Sequence, residues 1–112
     1  SKYITNEANM VREKVLVYIK KDFDNIDDQV AMDNILKKEA GYRTDAINEI
    51  GCVGMGQVCP LPNITAEARL GCPLDYSTEA VTCQYTWVKN YITRRYQTPT
   101  LAWKFHLVNN WY

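Results

Sequence analysis

Nowhere does the chain carry an apolar run of about 18 residues, so it offers no helix suited to crossing a bilayer. Charge of one sign is not in excess either. Thirteen Lys and Arg meet thirteen Asp and Glu, a formal net charge of zero, which leaves no basic footprint for a nucleic-acid partner. Histidine is nearly missing. His106 stands alone, and Cys52, Cys59, Cys72 and Cys83 contain no C-x-x-C pair. A structural zinc set built from Cys and His is therefore not expected, nor is any other metal or cofactor. Internal repeats, low-complexity tracts and linkers are lacking too. With 112 residues, the chain reads as one domain over 1–112 and as a monomer. It starts at Ser1, with no signal-like apolar segment, and reads as a mature or excised domain whose targeting segment is absent.

What is present is ordinary in bulk: 46% apolar and 23% charged residues, the balance of a folded globular chain rather than a disordered one. Eight tyrosines and three tryptophans are many for this size. They offer flat apolar faces with polar tips, on which sugar rings stack, although most are expected in the core. An even number of cysteines in a small domain points to disulfides and an oxidising compartment. Three pairings are possible. The expected one joins Cys52 to Cys59, clamping a glycine-rich loop, and Cys72 to Cys83, fixing the start of a helix. Reduced, buried cysteines in a cytosolic protein are the alternative.

Helical spacing of Val11, Val15, Tyr18 and Ile19 predicts a first helix over about Glu7 to Lys21, with acids early and lysines late. A second is predicted over Asp27 to Lys38, with Val30, Ala31, Asn34, Ile35 and Lys38 at helical spacing. Asp27 or Asp28 would cap it and Gly41 would end it. The two pack as a hairpin. The run Gly51 to Pro62 is too rich in Gly and Pro for a helix. Thr65 to Leu70 reads as a turn or two of helix ended by Gly71. Ser77 or Thr78 caps the longest helix, ending near Tyr96. In it Val81, Tyr85, Val88 and Ile92 mark one face, and Cys83, Trp87, Tyr91 and Arg94 an adjacent one. Thr98-Pro99 opens a short last helix through Leu101, Ala102, Phe105 and Val108. Trp111 and Tyr112 are expected to tuck back as packing. The architecture expected is mostly α, about five helices around a cleft.

Chemistry concentrates in one block, Glu39 to Gln57, EAGYRTDAINEIGCVGMGQ. A carboxyl group at the C-terminal end of a helix meets the negative end of the dipole, which disfavours its charged form, and burial would add to this. Both effects raise the pKa, as a general acid requires; Arg43 would oppose them if it reached the carboxylate. Glycines at 51, 54 and 56 allow sharp turns and close ligand approach.

The order Glu39, Tyr42, Ala46-Ile47-Asn48, Gly54-Met55-Gly56-Gln57 resembles the lytic transglycosylase pattern of the lysozyme superfamily. It is most similar to small exported domains of the resuscitation-promoting-factor type, which also end in a long helix, a short last helix and Asn-Trp-Tyr. The resemblance covers about Ile35 to Tyr112. It implies a lysozyme-like α+β fold with a Gly-rich loop or small β-like lobe, and a bacterial exported protein of the envelope or exterior acting on peptidoglycan glycan strands. It further implies cleavage of the MurNAc–GlcNAc β-1,4 bond by Glu39 as the single acid/base. Tyr42, Asn48, Gly54, Met55, Gln57, Tyr91 and His106 would contact substrate. Tyr42 would also pack beneath the acid, and Phe105-His106 matches two positions of an Ala-Tyr-Asn segment in larger relatives. The family has Ser after the Glu where this chain has Ala40, a change expected to perturb the acid's surroundings rather than abolish reaction. Asn63-Ile64-Thr65 fits a glycosylation pattern and is read as chance in a bacterial protein. Competing readings are a hydrolytic muramidase using Asp45 or Glu49 to position water, and a catalytically weak wall-binding module.

Overall fold

A computed structural model describes residues 5–112. Five helices carry the described residues: α1 Asn6–Asp22, α2 Ile26–Ala40, α3 Ala66–Leu70, α4 Thr78–Tyr96 and α5 Pro99–Asn109. Helix α2 packs chiefly on α5, and α1 and α4 close around that pair.

Each helix begins on a side chain that accepts from its own first turn: Thr5, Asn25, Thr65, Ser77 and Thr98. Asn25, not Asp27 or Asp28, therefore caps α2. Asp28 serves another helix, accepting from the Thr100 backbone N–H of α5 at 3.1 Å. The buried stripe of α2 is also displaced from the expected one. Ala31, Met32, Ile35, Leu36 and Ala40 face inward while Val30 is 52% exposed. Packed from one side by α1 and from another by α5, this helix buries a wider band than a single stripe, and the positions of its partners decide where the band lies. On α5 the inward residues are Pro99, Ala102 and His106, and Leu101 and Val108 point outward. The face expected on α4 is buried throughout: Val81, Tyr85, Val88 and Ile92.

Residues 41–65 form a small irregular lobe. It holds isolated antiparallel bridges, Ile47 to Val53, Val53 to Val58 and Leu61 to Ile64. Val53, Val58, Ala66 and Leu70 give it its own apolar cluster, against which Cys72, Leu74 and Trp87 pack. Disulfides join Cys52 to Cys59 and Cys72 to Cys83. The first closes the lobe on itself; the second ties the segment after α3 to α4. No described helix is long and apolar enough to cross a membrane.

Candidate active site

Glu39 lies in the last turn of α2, which runs two residues beyond the expected end at Lys38, to Ala40. The chain leaves this helix through two left-handed residues, Gly41 at φ 58° and Tyr42 at φ 63°. Such a φ strains a tyrosine, so something must hold it. Tyr42 is fully buried, and its hydroxyl donates to Asp33 Oδ1 at 2.6 Å. Asp33 in turn accepts from both ends of the Arg12 guanidinium of α1, at 3.0 and 2.9 Å. Burial works to raise the Asp33 pKa, but the bonds from Arg12 and Tyr42 outweigh it and hold the carboxyl below its ordinary value. This network anchors the end of α2 to α1.

The Glu39 carboxyl meets His106 of α5, Oε1 to Nε2 at 2.8 Å. Its side chain keeps 17% of its surface exposed, and that of His106 only 3%. The imidazole packs on Trp103, ring centroids 5.4 Å apart, which fixes its orientation. Burial raises the Glu39 pKa above the ordinary value, more than the His106 hydrogen bond and the charges of His106 and Lys38 lower it. The acid is thus aimed by one partner and kept inclined to hold its proton by its surroundings.

Below the acid, the lobe is pinned from inside. Gln84 of α4 is fully buried and bridges three backbone groups: its Nε2 donates to the carbonyls of Thr44 (2.9 Å) and Pro73 (2.7 Å), and its Oε1 accepts from Met55 N–H (2.8 Å). Gly56 lies so close to α4 that a Cβ there would meet Val88 Cγ2 at 2.4 Å. The Tyr112 hydroxyl donates to the Gly56 carbonyl at 2.8 Å, and Tyr91 donates to the Tyr112 carbonyl at 3.0 Å, so the last residue straps the lobe to α4. Gln57, at φ 51°, follows directly and donates its Nε2 to the Gly54 carbonyl.

Two hollows result, and Glu39 and Gln57 line both. One, of about 280 Å³, is walled by Arg69, Trp87, Tyr91, Arg95 and Trp111. The other, of about 170 Å³, is walled by Ala40, Arg43, Ala46, Ile47 and Asn48. The acid stands at their junction. Glu39 is the one carboxylate among the residues lining them.

No family model, curated protein or solved structure matches this chain.

Of the residues expected from sequence to contact a substrate, Asn48, Gln57 and Tyr91 line the hollows. Asn48 spends its Oδ1 on the backbone N–H groups of Ile50 and Cys52. Tyr42, Gly54 and Met55 do not belong to the cleft. Tyr42 and Met55 are fully buried, and Gly54 is buried against Gln84, so all three support the lobe from within. His106 lines neither hollow; it is buried and contacts the acid itself. Sequence reasoning missed the wall residues Arg69, Arg95 and Trp111 and the pin Gln84. Trp87 and Tyr91, four apart on α4 and stacked at 5.2 Å, were recognisable as one stripe. Gln84 had no such signal, since a glutamine between apolar neighbours reads as an exposed position. Among the described residues no group of His, Cys, Asp and Glu is arranged to hold a metal.

Proposed function

We propose that the chain is a lysozyme-like lytic transglycosylase, exported from a bacterium, that cuts peptidoglycan between N-acetylmuramic acid and N-acetylglucosamine. One observation carries this reading: a single carboxyl group, Glu39, with its pKa raised by burial, sits where two hollows meet. A glycan strand laid along both hollows would bring one linkage to the acid. Glu39 gives its proton to the bridging oxygen as the bond to the leaving sugar breaks and positive charge builds on the ring. The 6-hydroxyl of the muramic sugar then attacks the anomeric carbon and returns a proton to Glu39, leaving an anhydro end. His106 keeps the carboxyl aimed through both halves. Gln57, with its Oε1 left for a ligand, and Asn48, with its amide nitrogen, suit the acetamido and hydroxyl groups of the sugars.

A lone carboxylate favours attack by the substrate's own hydroxyl over hydrolysis. Asp45 accepts from the Tyr76 hydroxyl at 3.0 Å, and neither it nor Glu49 lines the hollows, so neither is placed to position water. The two disulfides suit an exported protein. Digestion of purified peptidoglycan followed by mass analysis tests the reading. Products lighter by one water than the hydrolytic ones are expected; reducing ends alone would assign a muramidase, and intact strands would overturn catalysis.

A further inference from the structure

The larger hollow is chemically lopsided. Its charged lining consists of Glu39 and two arginines, Arg69 from α3 and Arg95 from the end of α4. Neither guanidinium is in an ion pair of the described residues. Instead, both lie over the aromatic wall. Arg69 donates to the Cys59 carbonyl at 2.9 Å and lies 5.3 Å from the Trp87 ring centroid. Arg95 donates to the Tyr91 hydroxyl at 3.1 Å and lies 5.2 Å from the Trp111 ring centroid. The ring contact and one hydrogen bond hold each group in place, and the bond uses one of its five N–H donors. Trp87 is shared with an adjoining hollow lined by Arg94, so the cationic side continues beyond the cleft.

Two guanidinium groups lining one hollow supply the donors that a planar or tetrahedral oxyanion accepts. The aromatic faces between them suit a sugar ring. We infer that this hollow binds a glycan unit carrying its anionic group directly on the sugar, a free carboxylate or a phosphate, with Arg69 and Arg95 as the readers. The inference rests on the glycan-cleaving reading and narrows it. Strands whose sugar carboxylates are unmasked, without attached peptide, become the preferred ligand over neutral or fully capped ones.

Binding decides the matter without turnover. The Glu39→Gln chain, its fold checked by circular dichroism, is titrated with peptide-free glycan strands of one length, and Trp fluorescence is followed, since Trp87 and Trp111 line the hollow. One strand has free lactyl carboxylates, a second has them amidated, and a third is amidated but carries a sugar phosphate. The free-carboxylate strand is expected to bind about tenfold more tightly than the amidated one at low salt, with the gap closing as salt rises. Tight binding regained by the third strand would assign the site to phosphate as well. Arg69→Gln with Arg95→Gln should remove the gap, bringing the free-carboxylate and amidated strands to the same affinity. Equal binding of all three strands overturns the anion site and leaves the glycan reading standing; a gap that survives the double variant removes these two arginines as its cause. Failure of every strand to bind removes both readings.

Discussion

A carboxyl group in the last turn of a helix, largely covered by protein, is held where its charge is least welcome. Glu39 is such a group, and its burial decides its behaviour more than its partner does. The sign follows from linkage. Because the folded protein binds this proton more tightly than the unfolded chain, stability falls as pH rises from the unfolded pKa through the raised folded one. Activity should fall across the same upper range, because the acid loses its proton. Glu39→Gln keeps the shape without the proton donor. It should lower glycan cleavage about 10³-fold, as measured on purified peptidoglycan, while leaving the melting temperature at neutral pH unchanged or slightly higher. Cleavage at a tenth of the parent rate would overturn the assignment. His106 acts in the opposite direction on the same group, since its bond and charge lower the Glu39 pKa. In His106→Ala the alkaline limb of the activity profile should move to higher pH. The loss of a buried hydrogen-bonded ring between α2 and α5 should cost about 2–3 kcal/mol in denaturant titrations. An unmoved limb would make His106 a packing residue only.

Among the elements, α4 does two things that its periodicity does not distinguish. Its apolar stripe fills the core, while Gln84, within that stripe, reaches three backbone groups of neighbouring segments. Gln84→Ala leaves buried partners unsatisfied at Thr44, Pro73 and Met55. A loss of about 3 kcal/mol or more is expected, together with weakened turnover, because the lobe that presents Gln57 loses its pin. Thermal melting and wall-lysis rates read the two effects separately; a change below about 1 kcal/mol would show that water replaces the side chain. Helix ends were readable from sequence because caps are local: Gly41, Gly71, Ser77 and Thr98-Pro99 sit where their chemistry requires. The inward face of α2 was not, because this helix carries apolar residues on more than one side and only its neighbours select among them.

At the scale of the whole molecule, the lobe has only a small apolar cluster, and the disulfides add to it. Closing segments of 7 and 11 residues' separation, each should stabilise by about 2–3 kcal/mol, chiefly by restricting the unfolded chain. Reducing both should therefore remove about 5 kcal/mol, a large share of the total for a domain of this size. Urea unfolding with and without reductant measures it. A midpoint unchanged by reduction would show that the lobe stands on packing and Gln84 alone.

The sequence by itself determined the helical makeup, most helix boundaries and the position of Glu39 beside a glycine-rich loop. These rest on neighbours in the chain: capping side chains and apolar spacing. Which of the three cysteine pairings forms was settled only by the folded chain. Only the tertiary structure decided which residue meets the acid, which pins the lobe and which wall the hollow. His106 lies 67 positions from Glu39, Gln84 lies 29 from Met55, and the arginines of the larger hollow come from separate helices. Such contacts depend on how α2, α4 and α5 cross. The same packing drew Tyr42 and Met55 away from the cleft, since burying a large side chain in the core is worth more than presenting it to a ligand.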